Sequence, residues 1–140
     1  MIYAVGYDIV EVARVRRLIE RYADRFLDRV FTAGEQEYCA RFSDSYRHLA
    51  ARFAAKEAVV KALGTGFTQG IRWRDIEVYN LDSGKPEIRL VGRAKEVADS
   101  LGISAVHVSL SHSRGMASAC VVAEKASAES QKAEEGRGND

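Results

Sequence analysis

Glu57 and Lys61 stand four residues apart in the run Arg52-Phe53-Ala54-Ala55-Lys56-Glu57-Ala58-Val59-Val60-Lys61. On a helix that spacing puts both side chains on one face. Arg52 and Lys56 are also four apart and fall on a neighbouring strip. Such pairs are commonly solvated, yet the apolar residues around them leave little room for a fully exposed face. The run leads into Gly64-Thr65-Gly66, where glycine lets a backbone approach a phosphate closely. A P-loop pattern is absent. Near the start, Asp8 closes the apolar stretch IYAVGYD. It serves there either as a helix N-cap or as a hard oxygen ligand. Mg²⁺ takes one or two protein carboxylates and fills its other positions with water and phosphate oxygens. Asp8 and Glu57 make such a pair if the first strand lies beside the long helix.

A third cluster is Ser109-Leu110-Ser111-His112-Ser113. Strand alternation puts the three serines on one face and His112 on the other. The cluster reads either as a polar strand end or as an anion site, with hydroxyls and imidazole donating to phosphate oxygens. A serine hydrolase is excluded by the lack of a GxSxG elbow. A zinc site is excluded because the cysteines and histidines lack ligand spacing.

The elements that must position these groups follow from periodicity. Residues 2–8 predict a buried strand. A helix follows from about residue 11, with Val12, Val15, Ile19, Tyr22 and Phe26 on one face and Arg14, Arg17, Arg21 and Arg25 on the other. Thr32-Ala-Gly-Glu35 is a capping box. Ser45 is the candidate cap of the long alanine-rich helix, which closes at Gly64. Residues 72–80 alternate as a strand, NLDSGKP turns the chain into EIRLV, and GRAKEVADSLG is a helix. AVHVSLSHS and MASACVVAE give two last strands around Ser113-Arg114-Gly115. This irregular mixture predicts an α+β domain with an antiparallel sheet packed by the long helix.

The chain has 140 residues, with 21 Lys and Arg against 20 Asp and Glu, which argues against nucleic-acid binding through bulk charge. Nothing approaches a membrane-spanning length, and no signal peptide opens the sequence. Cys39 and Cys120 sit far apart in apolar settings and read as buried thiols rather than a disulfide. Together these readings predict a cytoplasmic protein. Residues 1–124 form the expected single domain. Residues 125–140, KASAESQKAEEGRGND, cannot bury enough apolar surface to offset ordering and are expected to be a disordered acidic tail.

Three blocks carry a likeness: Val5-Gly6-Tyr7-Asp8-Ile9-Val10-Glu11; Arg52-Phe53-Ala54-Ala55-Lys56-Glu57-Ala58 with Lys61-Ala62-Leu63-Gly64-Thr65-Gly66; and Val106-His107-Val108-Ser109-Leu110-Ser111-His112-Ser113. In that order they resemble the holo-[acyl-carrier-protein] synthases, the small bacterial class of 4′-phosphopantetheinyl transferases. The likeness runs from residue 1 to about 124. It implies the fold of that class, and transfer of the phosphopantetheine arm of coenzyme A to a serine of apo-acyl carrier protein in fatty acid biosynthesis, releasing adenosine 3′,5′-bisphosphate. It implies Mg²⁺ held by Asp8 and Glu57, with Lys61 facing the same phosphates. Arg52, Ser109, Ser111 and His112 match coenzyme A contacts, and Gly64 and Gly66 lie against the nucleotide. The general base stays open between Glu57, a metal-held water and another nearby water. Arg14, Arg21 and Arg25 would dock the acidic carrier, and a homotrimer would place active sites at subunit interfaces. Tyr7 departs from the family pattern, which favours an aliphatic residue beside the metal aspartate. A non-catalytic binding module and a small-molecule phosphotransferase are the competing classes.

Overall fold

The computed structural model describes residues 1–127. The extension expected from residue 125 lies, beyond Ser127, outside the described residues. One long helix organises the fold. This helix, α4 (Ser45–Leu63), is numbered after α1 (Val12–Tyr22), α2 (Asp24–Val30) and α3 (Ala33–Ala40). Asp44, not Ser45, is its N-cap, accepting from the backbone N–H of Arg47 at 3.3 Å. A carboxylate suits the positive helix N-terminus, so Ser45 becomes the first helical residue. Gly64 ends the helix at φ 77°, and the amides of Thr65 and Gly66 both bond back to the carbonyl of Val60. Thirteen of its 19 residues are buried, so tertiary packing rather than amphipathicity sustains it.

Against α4 lies an antiparallel sheet of β1 (Ile2–Glu11), β5 (Met116–Lys125) and β4 (Ile103–Ser113), in that order. A second sheet pairs β2 (Ile76–Asn80) with β3 (Pro86–Leu90), and α5 (Gly92–Ser100) connects β3 to β4. The α+β expectation holds. The inner face of the larger sheet is made of small residues, Ala117, Ala119, Val121 and Ala123, all buried. Gly6 marks the closest approach: a β-carbon there would sit 1.9 Å from the carbonyl oxygen of Ala58. Only glycine lets strand and helix backbones come so near.

Three elements differ from the sequence reading. β1 runs on to Glu11, so Asp8 is a mid-strand residue paired with Ala119 and not a helix cap. The expected single helix through Phe26 breaks at Ala23, whose φ is 47°. Its N–H still bonds to Ile19, and its carbonyl accepts from Phe26 and Leu27. The break lets Phe26 turn inward against Phe31 and Phe53. Arg25 therefore stands on α2, apart from Arg14 and Arg21 on α1. Finally, Trp73–Asp75 form a 3-10 turn before β2. The Asp75 carboxylate accepts from the backbone N–H of Arg72 at 3.0 Å and competes with strand pairing there.

Candidate active site

Asp8 projects from the inner face of β1 toward α4. Lys61 reaches it from the last turn of that helix, with Nζ 2.8 Å from Asp8 Oδ1 and 3.1 Å from the carbonyl oxygen of Tyr7. Glu57, one turn earlier, is half-buried. Burial pushes its carboxyl pKa upward, the neighbouring charge of Asp8 pushes it further, and Lys61 and Arg14 pull it back. The Asp8 hydrogen bond in turn raises the Lys61 ammonium. Asp8, Glu57, Lys61 and Arg14 are thus one electrostatic unit. The Gly6–Ala58 contact is what brings the first three together. Gly6 was legible as part of a motif, but its role as the contact point was not.

Two carboxylates and no soft ligand make a hard-oxygen donor set. Among the described residues no group of three or more His, Cys, Asp or Glu side chains could close around an ion. Such a pair suits an open divalent site completed by water and phosphate oxygens.

The other candidates lie elsewhere. Arg52 is only 2% exposed and occupies a different strip of α4. Its guanidinium donates to Asn80 Oδ1 and lies over the Tyr38 ring, 4.6 Å from the centroid. Its Nε has no partner among the described residues. Arg52 lines an open cleft of about 690 Å³ with Tyr38, Arg41, Tyr79, Asn80 and Arg89. Asn80 carried no signal in the sequence. Lys56 is fully buried, paired with Glu35 at 2.8 Å and donating to the carbonyls of Trp73 and Ile76. Gly64 and Gly66 have open space where a side chain would stand. Their amides are already bonded to Lys61 and Val60 carbonyls, so they offer close approach and not donors.

Ser109 and Ser111 lie on the outer face of the sheet, beside Cys120 and Ser118 and away from α4. His112 is on the inner face. Its ring meets His48 edge-on at 5.8 Å, and His48 stacks on Phe42 at 3.8 Å. His112 is two strands across and two residues along from Asp8, roughly 12 Å by strand geometry. One chain therefore unites Asp8, Glu57 and Lys61 and keeps Arg52, His112 and the serines apart from them. Tyr7 points its ring to the outer face, where it is 54% exposed. Only its carbonyl touches the site, which explains why an aromatic side chain is accommodated there.

An α+β domain that sets two carboxylates and a lysine in an open cluster, with a buried arginine on a separate strip of the same helix, carries charges of the kind that phosphate esters require. Residues 4–121 match the 4′-phosphopantetheinyl transferase superfamily. The chain is 49% identical to a holo-[acyl-carrier-protein] synthase of Geobacter sp. (strain M21) over 125 residues, covering 89% of this chain and 100% of that one. Its fold superposes on the crystal structure of the synthase from Neisseria meningitidis with a TM-score of 0.81 and 38% identity, covering 89% and 100%. The Helicobacter pylori synthase in complex with coenzyme A gives a TM-score of 0.77 and 33% identity, covering 86% and 99%. The chain belongs to the 4′-phosphopantetheinyl transferase superfamily.

Proposed function

We propose that the protein transfers the 4′-phosphopantetheine arm of coenzyme A to a serine of apo-acyl carrier protein, making the holo form for fatty acid biosynthesis. The observation that carries this is the convergence of Asp8, Glu57 and Lys61 at the point where β1 touches α4. The serine hydroxyl loses its proton to a general base, Glu57 or a nearby water, as its oxygen forms a bond to the pantetheine-bearing phosphorus. The bond from that phosphorus to the bridging oxygen breaks, and adenosine 3′,5′-bisphosphate leaves with the electron pair. Asp8 and Glu57 are the residues that would hold Mg²⁺, which supplies positive charge to the diphosphate when bound. Lys61 stays protonated because Asp8 stabilises its ammonium, and it offers further donors to the same oxygens.

Arg52 takes an anionic group of coenzyme A, since a buried guanidinium with an unsatisfied Nε suits a phosphate. Gly64 and Gly66 let the loop lie against the nucleotide. Tyr3, Val5, Tyr7 and Ile9 form an exposed apolar stripe on the outer sheet face. A homotrimer covers that stripe and places active sites at subunit interfaces, where Ser109, Ser111 and His112 of one protomer serve the nucleotide held by the next. Arg14, Arg21 and Arg25 dock the carrier, Arg14 standing within electrostatic reach of Glu57. No helix among the described residues is long and apolar enough to cross a membrane. The free thiols of Cys39 and Cys120 suit a reducing cytoplasm.

Mass spectrometry tests the activity. Protein, coenzyme A, Mg²⁺ and apo-carrier should yield a carrier heavier by about 340 Da, the size of the arm. No gain with several carriers overturns the reading.

A further inference from the structure

Arg52 is a buried cation that no carboxylate answers. It is 2% exposed and forms no ion pair among the described residues. Of the acids around its cleft, Glu77 is matched with Arg89 at 2.9 Å, and Glu37 and Asp82 are exposed. The partners that Arg52 does have are neutral. They are the face of the Tyr38 ring and the amide oxygen of Asn80, which accepts from Nη2. Its Nε has no partner among the described residues. A guanidinium taken out of water without a counter-ion is costly to the folded chain. The arrangement makes sense if the counter-ion arrives with a ligand.

Asn80 is held firmly against this cation. β2 pairs with β3 alone, so the backbone groups of its other edge must find partners elsewhere. Lys56 donates to the Ile76 carbonyl, and the Glu35 carboxylate accepts from the Val78 N–H at 3.0 Å. Lys56 and Glu35 are themselves paired at 2.8 Å, with both side chains fully buried. Ile76, Val78 and Asn80 alternate onto one face of the strand. A strand fixed at 76 and 78 therefore presents the side chain at 80 to α4. There Asn80 Nδ2 donates to the Gly84 carbonyl at 2.9 Å, and the amide oxygen is the end left for Arg52. An ionised aspartate has the same size but no hydrogen for Gly84. It would also give Arg52 the permanent counter-ion that it lacks.

We propose that Asn80 is a positioning residue for coenzyme A: it aims the Arg52 guanidinium through a neutral oxygen and so leaves the charge of Arg52 for an anionic group of the ligand. The proposal rests on the reading that Arg52 takes such a group.

Calorimetric titration of the full chain with coenzyme A and Mg²⁺, and thermal melts without ligand, separate aiming from simple support of the fold. Asn80→Ala removes the aiming oxygen and should weaken coenzyme A binding roughly fivefold. Asn80→Asp supplies a competing anion and should weaken it at least about thirtyfold. Both variants lose the Gly84 bond, yet the aspartate variant should melt higher, because Arg52 gains a counter-ion. Binding and stability then rank the two variants in opposite order, which a merely structural role would not produce. An aspartate variant that binds coenzyme A as well as the alanine variant overturns the proposal. A double-mutant cycle gives a second measure: in an Arg52→Gln background, Asn80→Ala should weaken binding by less than about twofold. The same fivefold loss in that background would show that Asn80 does not act through Arg52, and overturns the proposal as well. If Arg52→Gln weakens binding and Asn80→Asp does not, Arg52 keeps its role and the aiming role is wrong. If Arg52→Gln leaves the affinity for coenzyme A unchanged, the reading of Arg52 fails and takes the role of Asn80 with it.

Discussion

Glu57 feels burial and the charge of Asp8, both opposing its ionisation, against Lys61 and Arg14, which favour it. A divalent cation held by both carboxylates, as proposed, would relieve that conflict by neutralising them. Asp8→Asn keeps the size of the side chain and removes its charge. It also frees Lys61 from the bond that now holds it at 2.8 Å. Both changes favour the ionised form of Glu57, so the Glu57 pKa should fall in the variant. Carbon NMR titration of the glutamate carboxyl in the absence of divalent cation reads this shift. Transfer should drop by at least about a hundredfold, as expected for loss of a group that holds charge at the reacting phosphate. A Glu57 titration that does not move would separate the two carboxylates and remove the basis for a shared ion.

At the scale of elements, the site depends on how closely β1 lies against α4. The sequence made α4 legible through local signals: an alanine-rich register, a glycine stop and paired charges at helical spacing. It made the strands legible through alternation. It did not show that Ala23 would break the first helix, because alanine favours helix locally and only the packing of Phe26 on Phe53 rewards the break. Nor did it show which strip of α4 faces water. The apolar residues around Arg52 and Lys56 argued against a fully exposed face, but their spacing did not show that both are buried and stitched to Asn80, Glu35 and the start of β2. The contact at Gly6 is the most sensitive point. Gly6→Ala would put a methyl group 1.9 Å from the Ala58 carbonyl oxygen, with backbone on both sides and no side chain able to yield. β1 must then move away from the helix, at a cost of about 1–3 kcal/mol. Urea melts should show the loss. Transfer should fall further than stability alone accounts for, since Asp8 moves with the strand while Glu57 and Lys61 stay. A variant that is destabilised but transfers at the normal rate when folded would mean the spacing of β1 and α4 does not set the site.

The whole molecule presents one face that a single chain leaves unexplained. Along β1 the inner side chains meet α4, and the outer ones, Tyr3, Val5, Tyr7 and Ile9, are between 37% and 59% exposed. Across the sheet that face continues through Cys120 and Val122 of β5 to Ser109 and Ser111 of β4. The sequence reading grouped these serines with the phosphate site but could not show that they stand on the opposite side of the sheet from Asp8. A contiguous apolar stripe of this kind marks a contact surface, and covering it with neighbouring copies would bring a second chain's residues toward the first chain's cleft. Under the proposed trimer, assembly and activity would be a single property. Val5→Glu combined with Tyr7→Glu places two charges in the middle of the stripe without touching Asp8, Glu57 or Lys61. Sedimentation equilibrium should show the unaltered protein as a trimer and the variant as a monomer, with its secondary structure retained by circular dichroism. Transfer by the monomer should be lost even at saturating coenzyme A and Mg²⁺. Mixing that variant with a second one, folded and trimeric but carrying Asp8→Asn, should restore nothing, because no mixed assembly forms through a charged face. A monomer that transfers at full rate would show that one chain holds a complete site, and the separation of His112 from Asp8 would then need closure within the chain instead of a partner.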